Sequence, residues 1–206
     1  MRGHQLYRGK GGVGIVLIHE IFGLTDYERG LAQMLAEEGY WVVTPDLYQG
    51  RAATTLEEGF RLRTTLEAGQ VVSMLEEGYK LLAHEVGDGG RIGFMGFCMG
   101  GGFALLGGCE VGAGFVVDYY GMMDEVEKLK NVSGPIQLIL ASEDQRVTPW
   151  AYQSFMPTVV RYRKRADIHI YPYTQHAFHR PNWAGHNPEA ARDAWSKTLA
   201  FLSQFR

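Results

Sequence analysis

Two cysteines among 206 residues leave little scope for a disulfide framework. Joined by a helix at 1.5 Å rise per residue, Cys98 and Cys109 would lie roughly 16 Å apart, beyond the reach of a disulfide. Neither a C-x-x-C nor an H-x-x-x-H spacing occurs, so no metal-ligand set and no cofactor is expected. Apolar runs such as Gly14-Ile15-Val16-Leu17-Ile18 fall far short of the ~20 residues that a membrane span needs. The formal net charge is only −3, and no long basic run appears. Nucleic acid and anionic membranes are therefore not expected partners. The first ten residues lack the apolar core of a signal peptide, so the expected location is cytoplasmic. Repeats, low-complexity tracts and linkers are missing too. Residues 1–206 then read as a single domain and a monomer, able to bury about 70% of its unfolded surface.

What is present is an alternation of strand and helix signals, with 27 glycines placed largely at their junctions. Val13 to His19 is an apolar run suited to a buried parallel strand. Thr25-Asp26-Tyr27-Glu28 resembles a capping box, and Tyr27, Leu31, Met34 and Leu35 then share a helical face. Tyr40 to Thr44 reads as a strand. Residues 55–84 read as helical, although Gly59, Gly69 and Gly78 argue against one straight helix. Further strands are predicted at 91–95, 113–118, 136–141 and 167–172, with helices at 98–107, 124–130 and 148–165. A last helix starts at the cap Asn187 with Pro188 at its first position. The pattern predicts an α/β fold with a mostly parallel sheet covered by helices on both faces. Ligands of such sheets bind beyond the carboxyl ends of the strands.

Chemistry-bearing residues fall at those ends. Cys98 sits in Gly96-Phe97-Cys98-Met99-Gly100 after a strand, a G-x-S-x-G nucleophile elbow with a thiol in place of the hydroxyl. A helix N-terminus behind such a thiol favours its anion. Glu20, Asp144 and His176 each follow a different predicted strand, so parallel strands would carry all four to one sheet edge. The order nucleophile, acid, histidine is the one that α/β-hydrolases use. His176 would take and return the thiol proton, Asp144 would orient the imidazole, and the N–H groups of Ile21 and Met99 would form an oxyanion hole. Asp118 also ends a strand, and Glu143 adjoins Asp144, so both remain rivals for the acid. Cys109, His19, His179 and His186 read as structural or exposed.

Taken together, Gly96-Phe97-Cys98-Met99-Gly100-Gly101, His19-Glu20-Ile21-Phe22-Gly23, Asp144-x-x-Val147-x-Pro149, His176-Ala177-Phe178 and Tyr119-Tyr120-Gly121 resemble the dienelactone hydrolase (carboxymethylenebutenolidase) family of the α/β-hydrolases. The resemblance covers almost the whole chain, in order. It implies the α/β-hydrolase fold and a triad of Cys98, Asp144 and His176. It also implies hydrolysis of small, carboxylate-bearing esters or lactones through a thioester. From it Glu20 inherits control of the thiol, Arg180 a role in binding the substrate carboxylate, and Tyr119 and Phe178 places in the substrate site. A carboxylate beside a thiol disfavours the thiolate, so Glu20 would act as a brake that an anionic substrate releases. Where relatives carry an arginine and a tyrosine in a helical cap, this chain has Leu56 and Phe60, with Arg61 and Arg63 nearby. The short N-terminus suggests early edge strands that are reduced or absent. A silent binding protein on the same fold, and a thioesterase or peptidase, are the alternatives.

Overall fold

The computed structural model describes residues 3–206. Seven strands form one sheet in the order β1-β3-β2-β4-β5-β6-β7. They are β1 (His4–Tyr7), β2 (Val13–Ile18), β3 (Trp41–Pro45), β4 (Arg91–Phe97), β5 (Val116–Tyr119), β6 (Ile136–Ala141) and β7 (Ala166–Tyr171). Only β1 runs antiparallel, pairing with β3. The short N-terminus therefore still supplies an edge strand.

Strand alternation splits the core in two. Val16, Ile18, Phe94, Val116 and Leu138 face one way, toward α3 (Ala68–Val86) and α4 (Met99–Glu110). A continuous helix packs on the same side, made of α5 (Val147–Trp150), one π turn (Ala151–Phe155) and α6 (Met156–Arg161). Ile15, Leu17, Met95, Val117 and Ile139 face the other way, toward α1 (Asp26–Glu37) and α7 (Pro188–Ser203). Coverage of both faces selects mostly apolar residues on both sides of the central strands, and β2 and β6 are buried along their whole length.

Several boundaries differ from expectation for local reasons. The stretch 55–84 divides into α2 (Leu56–Arg63) and α3, with a turn at 64–67 between them. Gly59 permits close approach: a Cβ there would stand 3.0 Å from the Ile21 carbonyl oxygen, whereas Gly69 faces open space. The segment at 124–130 is a 3-10 helix, Val126–Asn131. The helix from 148 stops at Arg161, and Arg163 then turns the chain at φ +50°. Met34 is exposed, so α1 buries Leu31, Ala32 and Leu35 instead.

Register brings the strand ends level. Ile18 pairs with Gly96, Gly96 with Asp118, Asp118 with Leu138 and Leu138 with Ile168, forming one row across the sheet. Just beyond that row β4 turns sharply into α4 through Cys98, at φ +53° and ψ −118°. A non-glycine residue there is strained by about 1–3 kcal/mol. The surroundings enforce the bend: a Cβ on Gly100 would sit 2.3 Å from the Ile18 carbonyl oxygen, and one on Gly96 would sit 2.1 Å from that of Gly100. Helix α4 thus crosses β2 in backbone contact. Gly100→Ala is expected to destabilise the fold by about 1–3 kcal/mol, read as a lower urea midpoint; an unchanged midpoint would show that α4 can move away freely.

Candidate active site

Past the carboxyl edge of the sheet lies a cleft of about 1340 Å³ whose walls include Glu20, Cys98, Tyr120, Asp144 and His176. Cys98 is the cap residue of α4 and is half-buried. His176 reaches it from the loop after β7, with Nε2 3.0 Å from Sγ. On the other side of the ring, His176 Nδ1–H donates to Asp144 Oδ2 at 2.5 Å. Asp144 is held in turn, since its Oδ1 accepts the N–H groups of Arg146 and Val147, both at 2.9 Å. Neither rival acid occupies this position: the Asp118 carboxylate turns inward and accepts the Gly121 N–H at 2.7 Å.

The protonation states follow from these bonds. Burial pushes the Asp144 carboxyl up, but the His176 ring and two backbone N–H groups outweigh it and hold the group below the ordinary carboxylate range. Burial likewise disfavours the imidazolium of His176, yet the bonds to Asp144 and Cys98 prevail and raise it to about 10. Ile21 and Met99 both border the cleft, and neither N–H is taken by a backbone acceptor in the turns and caps of the described residues. Met99 also occupies the first position of α4, where N–H groups have no intrahelical partner.

Glu20 is only 1% exposed, and its Oε2 accepts from Arg180 at 2.7 Å. Burial first, then the charge of Glu28, lift its carboxyl to about 7 against the pull of Arg180 and His176. Arg180 does not border the cleft; it lies between the Phe22 and Tyr27 rings at 4.7 and 4.9 Å and is engaged by Glu20. Tyr119 and Phe178 also differ from expectation. Both are fully buried in the second core, and the hydroxyls of Tyr119 and Thr198 are hydrogen-bonded at 2.8 Å. Tyr120 takes the place on the cleft that Tyr119 was expected to fill. It sits at φ +42°, one residue past β5, where strand alternation no longer sets the side-chain direction, and it packs in the same core cluster as Tyr119. Leu56, Phe60 and Arg63 of α2 roof the cleft, with the Arg63 guanidinium over Phe103 at 5.2 Å, whereas Arg61 does not line it. His19 is structural, as expected. It accepts the Leu47 N–H at Nε2 and donates through Nδ1 to the Glu20 carbonyl.

The model of the dienelactone hydrolase family matches residues 6–206. The chain belongs to that family. It is 28% identical to a Saccharolobus solfataricus protein that carries the provisional name carboxymethylenebutenolidase, over 92% of this chain and 88% of that one. It is 26% identical to the carboxymethylenebutenolidase of Pseudomonas putida, over 92% and 84%. Among solved structures, a Klebsiella pneumoniae protein provisionally named dienelactone hydrolase superposes with a TM-score of 0.86 at 25% identity, covering 96% of this chain and 88% of that one. The architecture is thus the α/β-hydrolase fold. No helix of the described residues is long and apolar enough to cross a membrane.

The imidazole makes the site testable without any substrate. His176 is expected to titrate near 10 by nitrogen NMR, keeping both ring protons through the neutral range. Asp144→Asn removes the negative charge behind the bond that raises it most and should bring the midpoint down by more than one unit. A wild-type midpoint near the ordinary 6.5 would contradict the geometry.

Proposed function

We propose that this chain is a carboxylic-ester hydrolase in which Cys98, His176 and Asp144 act as nucleophile, acid–base and orienting carboxylate. The observation that carries this reading is the unbroken line Asp144–His176–Cys98, with contacts of 2.5 and 3.0 Å, on the wall of the main cleft. The sulfur adds to the ester or lactone carbonyl carbon, and the carbonyl π pair moves to oxygen. The N–H groups of Ile21 and Met99 receive that charge. Collapse breaks the C–O bond, and His176 delivers its proton to the departing oxygen. Water then gives a proton to His176 and attacks the thioester, releasing the acid and the thiolate.

Small esters and lactones fit the site better than amides, because their leaving oxygens need less protonation. The apolar roof of Leu56 and Phe60 suits an unsaturated or aryl group. A substrate carboxylate would reach Arg180 only by displacing Glu20 from it, the exchange that links anionic substrates to release of the brake. A silent binding protein would need no relay from carboxylate to sulfur, and the relay counts against that alternative.

Cys98→Ala and His176→Ala are each expected to abolish hydrolysis of a generic aryl ester while leaving the fold intact by circular dichroism; full activity in either would refute the mechanism. Glu20 gives a second, pH-dependent outcome. Its charged form prevails above about 7 and its neutral form below. Glu20→Gln should therefore speed alkylation of Cys98 by iodoacetamide at about pH 8 and converge with wild type below about pH 6. Equal rates at the higher pH would remove Glu20 as a brake.

A further inference from the structure

Glu28 was legible in the sequence only as the fourth residue of a capping box, a position that ordinarily faces solvent. Here it is 0% exposed. Its Oε2 accepts the Thr25 N–H at 2.9 Å and the Thr25 hydroxyl at 2.5 Å. Its Oε1 turns toward the site, accepts the Glu20 N–H at 3.3 Å and lies 3.6 Å from Arg180 Nη1. Arg180 Nη1 is the same atom that donates to Glu20 Oε2. Two buried carboxyl groups therefore share one guanidinium, and every polar contact of Glu28 is donated to it. That is the setting of a charged, acceptor-only carboxylate. Glu20 differs: its Oε1 is buried and has no hydrogen-bond partner.

We propose that Glu28 is a positioning residue for the reaction, one that claims part of the Arg180 charge and so keeps a proton on Glu20 beside Cys98. A second uncompensated negative charge is expensive at such burial. The carboxyl with fewer donors is the one that takes up the proton, and the unpartnered Oε1 of Glu20 is where it resides. The groups facing Glu20 are Tyr27 and Glu28 from α1, Arg180 and His176 from the loop after β7, Tyr120 after β5, and Cys98 at the head of α4. The phenols of Tyr27 and Tyr120 stay neutral, since burial moves both well above the ordinary range. Glu28 is thus the charge that opposes Arg180. The capping box ties the start of α1 to the thiol's surroundings and makes its charge state depend on a residue that never touches substrate.

The inference rests on the proposed control of Cys98 by Glu20, and its test separates the two. Glu28→Gln keeps the capping box, which glutamine also completes, while removing the charge. The Glu20 carboxyl can be followed by carbon NMR in glutamate-labelled protein, with its resonance assigned by Glu20→Gln. The wild-type midpoint near 7 should fall by at least about one unit in Glu28→Gln, a tenfold loss of proton affinity. Thr25→Ala, which retains the Glu28 carboxylate but strips a donor from it, should give a smaller shift in the same direction and serves if Glu28→Gln fails to fold. Alkylation of Cys98 by iodoacetamide at about pH 6 should slow severalfold in Glu28→Gln, because the brake is then engaged. A Glu20 midpoint that stays within about 0.3 units of wild type overturns the role of Glu28. A shifted midpoint with alkylation indifferent to Glu20→Gln upholds Glu28 as the setter of that proton and overturns the brake instead.

Discussion

The 3.0 Å contact between Cys98 Sγ and His176 Nε2 exists because a cysteine is held where cysteines rarely sit. At φ +53° the residue can project its sulfur clear of both β4 and α4, and nothing in its own side chain favours that conformation. The bend is imposed from outside. Gly100 lets α4 meet β2 backbone to backbone, Gly96 lets β4 do the same with α4, and any Cβ at either position would collide. Tyr120 and Ala177, which flank the same cleft, also adopt positive φ at +42° and +62°. Strain clustered in this way persists only where the surrounding packing over-determines it. Here the two apolar cores on either face of the sheet hold the strand ends in register.

Two electrical arrangements meet at that sulfur. One is a relay in which each group settles the state of the next, from two backbone N–H groups through Asp144 and His176 to Cys98. The other is the cluster of Glu20, Glu28 and Arg180, whose guanidinium lies over the Phe22 and Tyr27 rings. The relay places positive charge beside the sulfur, and the cluster adds negative charge near it only when Glu20 gives up its proton. In the proposed reaction the balance between them sets how reactive the resting thiol is, and an anionic substrate could tip it by competing for Arg180.

Much of the fold was legible in the sequence, because a parallel sheet buried on both faces writes itself as apolar runs, and the elbow writes itself in glycines. The four reactive residues were legible for a related reason: each follows a strand, and parallel strands end together. Other features were not. Asp118 read as the end of a strand and so as a rival to Asp144, but it lies inside β5 with its carboxylate turned to Gly121, while Asp144 lies beyond β6 and reaches His176. Arg180 was expected to await a substrate, yet its partner Glu20 lies 160 positions away in the chain, a contact that no local pattern encodes. Tyr119 and Phe178 read as substrate contacts because the motifs that contain them touch the site, whereas the side chains point into the core. Met34 completed a helical face on paper that α1 does not bury.

The account stands on covalent chemistry at one sulfur, and intact-mass spectrometry during turnover of an aryl ester tests it most directly. Quenching with acid should trap one acyl group per chain, and peptide mapping should place it on Cys98 and not on the buried Cys109. Turnover with no acylated protein at any quench time, or an acyl group mapped elsewhere, would contradict the account.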